Sequence, residues 1–297
     1  MKELKGLGTA LITPFKASGE IDYEALARLL DTQLTGSVDY IVVLGTTGEA
    51  ATMSGDEKRA VRRFIVDYVN DKSQSTHHKV RLVLGVGGNN TAAVCAELKA
   101  MEAELIADFT AILSVCPYYN KPSQEGLYRH FCAVAEASPI PVLLYNVPGR
   151  TGVNLLPETV QRIYEAHSDK IAGIKEASGN VEQIKQVIAL KMEHFLVISG
   201  DDGIACELMQ AGADGLISVA SNAFPNDFHK IVHERNAALQ ERYAEMIRLL
   251  FAEGNPSGIK TVLAQKGLIQ NELRLPLVSN SEALQETIRQ ELAALSR

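Results

Sequence analysis

Residues 141–175 read PVLLYNVPGRTGVNLLPETVQRIYEAHSDKIAGIK. Within them lie an apolar run at Pro141–Tyr145, a helical pattern at Pro157–Ala166 and a second apolar run at Ile171–Lys175. Apolar runs this short, without polar alternation, suit strands covered on both faces, and a helix between two of them makes their pairing parallel. The same rhythm spreads in both directions. Further strand-like runs fall at Leu7–Ile12, Tyr40–Leu44, Val80–Val86, Phe109–Val115, Phe195–Ser199 and Gly215–Val219. Helical patterns fall between them at Tyr23–Leu34, Asp56–Val69, Thr91–Leu105, Gln124–Ala137, Val181–Leu190 and Gly203–Gln210, with Ser, Asp or Asn near their starts. Eight strands alternating with helices, with no sign of two halves, predict an α/β chain closed into a (β/α)8 TIM barrel. A doubly wound open sheet is the alternative.

Beyond Val219 no further strand is evident. The remainder reads as helices interrupted at Gly254–Gly258 and at Pro276, so the expected organisation is a catalytic barrel over 1–223 and a C-terminal helical extension over 224–297 packed on it. The 297 residues, 46% hydrophobic and 22% charged, supply a large core. A formal charge of −7 argues against nucleic acid or an anionic membrane, because counterion release needs a basic surface. A small molecule becomes the default partner. Cys95, Cys116, Cys132 and Cys206 lie in apolar stretches without CxxC spacing, which suits buried thiols in a reducing compartment. No signal-like N-terminus appears, and nowhere do about 18 apolar residues run together, so the expected location is the cytoplasm.

In a barrel of this type the loops after the strands form the reactive face. Strand two ends in Gly45-Thr46-Thr47-Gly48-Glu49, strand four in Pro117-Tyr118-Tyr119-Asn120-Lys121, and strand five in Tyr145 through Gly152 with Arg150 inside. Strand six ends at Lys175, the first charged residue after IAGI, and strand seven at Ser199-Gly200-Asp201-Asp202. An amine at the rim of a hydrophobic strand is suited to attack a carbonyl. Each feature also has a plainer reading. GTTG is often only a strand-to-helix connection, paired tyrosines beside proline pack loops, an arginine in a turn is solvated, and a lysine stem can snorkel. Their convergence on one face favours chemistry. His77 and His78, in the polar stretch Lys72–Lys79, read as a solvated loop, and Asp201-Asp202 as a helix N-cap, so no metal site is expected. Gly85-Val86-Gly87-Gly88 lacks the GxGxxG order, so no dinucleotide is expected either.

Taken in order, GTTGE, PYYNKPSQEGLY, YNVPGRTG, GIKEASGN and SGDD, with NPSGIKTVLAQKGL and LRLPL in the tail, closely resemble the dihydrodipicolinate synthase family. The wider superfamily of pyruvate-dependent class I aldolases, which includes N-acetylneuraminate lyase, shares the lysine and the barrel. The resemblance implies that Lys175 forms a Schiff base with pyruvate and that the enamine adds to L-aspartate-4-semialdehyde, with no cofactor. It implies a hydroxyl proton relay of Tyr145, Thr46 and Tyr119, with Tyr119 supplied by a neighbouring subunit, hence at least a dimer and commonly a homotetramer. It further implies that Thr47 holds the pyruvate carboxylate, that Arg150 clamps the semialdehyde carboxylate, and that the main-chain carbonyls of Gly200 and Ile217 line the site. Another pyruvate lyase acting on a sugar acid, or a silent barrel that senses a small acid, are the competing functions. Members inhibited by lysine use polar residues where this chain has Ala50, Ala51, Gly55, Lys58, Asn89, Ala93 and Tyr118. With Ala93 in place of the effector's carboxylate partner and Lys58 adding a positive charge, weak or absent lysine inhibition is expected.

Overall fold

A computed structural model describes residues 1–76, 80–190 and 192–296. Its eight strands are parallel and close into a barrel in chain order: β1 (Gly6–Ala10), β2 (Tyr40–Val43), β3 (Arg81–Gly85), β4 (Phe109–Val115), β5 (Val142–Asn146), β6 (Ile171–Glu176), β7 (Leu196–Ser199) and β8 (Gly215–Ser218). Every residue of β5 and β6 is buried, as parallel strands covered by helices require. At roughly 1.5–3 kcal/mol for each fully buried Val, Leu or Ile side chain, these short runs do much to drive closure. The pairing sets the register that matters below, since Tyr145 of β5 lies opposite Lys175 of β6 and Lys175 lies opposite Ile198 of β7. Gly173 permits this packing, because a Cβ there would sit 2.3 Å from the Leu196 carbonyl oxygen of β7.

By compactness the chain divides into two units. One joins residues 1–6 to 81–217 and contains β3 to β7 with their helices. Its helices Thr91–Lys99, Gln124–Ala137 and Val181–Ala189 start on Asn90, Ser123 and Asn180, whose side chains accept the backbone N–H groups of Ala93, Gly126 and Gln183. The expected single helix over Thr91–Leu105 is broken, ending at Lys99 and resuming as Ala103–Ile106.

The other unit joins residues 7–80 to 218–297. The long helix Gly55–Thr76 opens with a capping box, in which Ser54 N donates to Glu57 Oε2 at 2.9 Å and Glu57 N donates to Ser54 Oγ at 3.2 Å. The segment after β8 is tied to β1, because Asn222 Nδ2 donates to the Ala10 carbonyl at 2.8 Å and Asn222 Oδ1 accepts from Ile12 N at 3.1 Å. The tail then forms helices Pro225–His233, Ala237–Arg242, Ala244–Phe251, Ser257–Gln265 and Glu282–Leu295. Among the described residues no helix is long and apolar enough to cross a membrane.

Candidate active site

Lys175 is the fifth residue of β6 and only 7% exposed. Its Nζ lies 4.3 Å from the ring centroid of Tyr145, a direct result of the β5–β6 register. Tyr145 is equally buried. Gly200, just after β7, leaves room for the lysine stem, since a Cβ at that position would fall 2.8 Å from Lys175 Cε. Gly200 N donates to the Glu176 carbonyl at 2.8 Å, which fixes the backbone on that side. Ile217 of β8 is also buried.

Strand alternation sends the side chain of Glu176 to the face opposite Lys175. There the carboxylate is fully buried and accepts Asn146 Nδ2 at 3.0 Å, Ser178 N at 2.8 Å and Gln183 Nε2 at 3.2 Å. Burial pushes its pKa above the usual carboxylate range, while these hydrogen bonds pull the other way. The cluster clamps the ends of β5 and β6 together at the level of the lysine. Nothing in the apolar periodicity announced it, although Glu176 and Asn146 stand directly beside the residues that did attract notice. The nearby Cys116 thiol is pushed upward by burial, and further by Glu176, so it stays a protonated core residue.

Arg150 lies in the one-turn helix Pro148–Thr151, which ends on Gly152 in the left-handed region at φ 74°. Its side chain is exposed. The loop after β4 is held to this turn by Tyr119 N, which donates to the Thr151 carbonyl at 3.3 Å. Tyr119 itself has φ 76° and is 88% exposed. The structure therefore brings Lys175 and Tyr145 together in the interior and leaves Tyr119 projecting from the surface of the chain.

In the other unit, Thr46–Gly48 forms a tight 3-10 turn after β2. Thr46 is exposed, whereas Thr47 is buried and its Oγ1 accepts Asn255 Nδ2 at 2.9 Å. Glu49 follows in the left-handed region at φ 54°, fully buried and ion-paired with Lys260. Its Oε2 also accepts Arg274 N at 3.1 Å. Lys260 donates to the Glu272 carbonyl at 2.9 Å and lies 4.3 Å from the Phe15 ring centroid. Burial lowers its pKa to about 8 and the Glu49 carboxylate resists that shift. Arg274 makes an ion pair with Glu57 at 2.5 Å, and that guanidinium holds Glu57 down at about 2. The sequence reading missed this network, because Glu49 and Glu57 sit more than 200 residues from Lys260 and Arg274. Asp201 caps the turn Asp202–Ile204 by accepting Gly203 N at 2.8 Å, as expected. Cys116 and Cys206 are buried and Cys95 and Cys132 are half-buried. His77 and His78 lie outside the described residues.

An eight-stranded parallel α/β barrel with a buried lysine amine at a strand end defines a class of lysine-bearing barrels. Within it, the chain belongs to the dihydrodipicolinate synthetase family, whose model matches residues 3–295. It is 47% identical to the 4-hydroxy-tetrahydrodipicolinate synthase of Parabacteroides distasonis, over 99% of this chain and 97% of that one. The crystal structure of dihydrodipicolinate synthase from Thermotoga maritima is similar at TM-score 0.91 and 38% identity, covering 98% of both chains. A lysine-bound structure of the enzyme from Cyanidioschyzon merolae is similar at TM-score 0.90 and 32% identity, covering 99% of both chains.

Proposed function

We propose that the protein condenses pyruvate with L-aspartate-4-semialdehyde to 4-hydroxy-tetrahydrodipicolinate, the first committed step toward diaminopimelate and lysine, as a cytoplasmic lyase. The observation that carries this reading is the buried Lys175 amine set against Tyr145 by strand register, in a chain of this family. The Nζ lone pair attacks C2 of pyruvate, and loss of water gives an iminium. That cation withdraws electrons from the methyl group, which releases a proton to form an enamine. The enamine carbon then bonds to the aldehyde carbon, whose oxygen takes up a proton, before the product cyclises and frees the lysine. No cofactor enters.

Tyr145 is assigned the proton transfers nearest the amine, because a phenol both donates and accepts. Thr46 and Tyr119 complete the relay in this assignment. The exposure of Tyr119 suits donation to a neighbouring subunit, so the working form is at least a dimer and, on the family pattern, a homotetramer. Thr47, its hydroxyl oriented by Asn255, is assigned the pyruvate carboxylate together with the backbone of its turn. Arg150 supplies a bidentate fork for the semialdehyde carboxylate. The carbonyls of Gly200 and Ile217 line the site. The barrel over 1–223 carries the chemistry, and the extension over 224–297 supports it through Asn255 and Lys260.

Incubation with pyruvate followed by borohydride reduction tests this directly. Mass spectrometry should find the reduced pyruvyl adduct on Lys175, and Lys175→Ala should lack both adduct and turnover. An adduct on another lysine, or a Lys175→Ala variant that condenses both substrates at the parent rate, would overturn the assignment.

A further inference from the structure

The Pro225–His233 helix carries two histidines four residues apart, His229 and His233, and that spacing places both on one helix face. Their ring centroids are 4.2 Å apart. Asp39, immediately before β2, reaches the same place, with Oδ2 2.7 Å from His233 Nε2. The same oxygen accepts Leu7 N at 2.7 Å, so the carboxylate is held from behind by the backbone at the start of β1. One ligand atom from each of the three side chains lies within 4.8 Å of the others. His229 Nδ1 is removed from water and has no hydrogen-bond partner.

The geometry points to a binding site for a zinc-class divalent cation at Asp39, His229 and His233, with water in the remaining position. Two imidazoles and one carboxylate suit Zn²⁺ and the neighbouring Co²⁺, Ni²⁺ and Cu²⁺, whereas Ca²⁺ and Mg²⁺ demand oxygen ligands. With metal–ligand bonds of about 2.0–2.1 Å, tetrahedral ligand atoms stand roughly 3.4 Å apart. The 2.7 Å Asp39–His233 pair must therefore open by roughly 0.7 Å while the wider separations, all within 4.8 Å, close toward that value, adjustments that rotation of the half-exposed His233 ring can supply. Binding exchanges the proton shared by Asp39 and His233 for the cation, and that proton leaves to solvent. The Leu7 N–H remains as the outer donor that orients the carboxylate. Such an ion would cross-link the helix after β8 to the entry of β2. Because the Thr46–Thr47 turn leaves the other end of β2, the ion acts as a structural clamp rather than as part of the chemistry.

The test uses the full chain, stripped with a chelator and dialysed, then titrated with Zn²⁺ by calorimetry and with Co²⁺ by absorption. The expected result is one equivalent per chain at micromolar affinity, a higher melting temperature, and cobalt d–d bands without thiolate charge transfer. The double variant His229→Gln/His233→Gln should lose at least a hundredfold in affinity and the whole melting shift, while condensing its substrates as the parent does. On the parent alone, Cu²⁺ resonance should show two nitrogen donors, which keeps the proposal testable should the double variant fold poorly. Millimolar binding, thiolate bands, fewer than two nitrogen donors, or equal affinity in a folded double variant would each overturn it.

Discussion

Replacing Lys260 by Met removes one half of an ion pair in which neither side chain has any exposure. Glu49 would be left as a buried carboxylate with Arg274 N as its remaining described donor. Stranding one partner of a buried pair costs about 3–5 kcal/mol, while neutralising both partners is often close to neutral. Against a typical domain stability of about 5–15 kcal/mol, Lys260→Met alone removes roughly a fifth or more of the margin. The Glu49→Gln/Lys260→Met double variant should recover most of that loss. A pH signature accompanies it. Burial holds the Lys260 amine at about 8, below its ordinary 10.5, so between these values the unfolded chain binds more protons and stability rises with pH. Lys260→Met should lose that rise. Urea unfolding followed by circular dichroism, at one protein concentration and at pH 7.5, 9 and 10, reads both effects. A single variant within about 1 kcal/mol of the parent, or a double variant less stable than the single, would refute the argument.

Arg150→Ala should leave borohydride trapping of pyruvate intact while kcat/KM for the semialdehyde falls about a hundredfold, the loss of charge-assisted hydrogen bonds worth roughly 3 kcal/mol; equal damage to both would contradict its assigned role. Gly200→Ala puts a methyl 2.8 Å from Lys175 Cε and 2.6 Å from Ala177 Cβ, so imine trapping should slow by about tenfold or more, and an unchanged trapping rate would show that the lysine stem does not depend on that gap. L-Lysine should fail to half-inhibit below millimolar concentration, because Ala93 offers no carboxylate and the Asn89 amide already donates to the Tyr118 carbonyl at 3.1 Å. Inhibition curves at fixed pyruvate decide this, and sub-millimolar half-inhibition would refute it.

The barrel was legible because its strands are apolar, short and separated by helical patterns. Phe109–Val115 falls where the sequence reading put it, and so do the helices Gln124–Ala137 and Pro157–Ala166. The misplaced edges have local causes. Polar Asn146 and Glu176 end their strands inside buried networks rather than in solvent, so hydropathy stopped one residue early at both. Lys175 and Tyr145 stood out as polar atoms at the ends of apolar runs, and their contact followed once the strands were paired. Lys260, Glu49 and Asn255 fall within the motifs GTTGE and NPSGIKTVLAQKGL, yet nothing there assigned them a role. A lysine on a C-terminal helix looks like any solvated surface charge, and only the fold reveals that it has no exposure.

The hydrogen bond from Asn255 to Thr47 has a temporal side. Residues of all eight strands are translated before residue 220, yet the amide that orients Thr47 comes off the ribosome more than thirty residues later, as counted along the chain. On the roles proposed for Lys175 and Thr47, a nascent chain can thus possess its reactive amine while its grip on the first substrate is unfinished. Synthesis of the tail, rather than closure of the barrel, then marks the moment at which the polypeptide becomes competent.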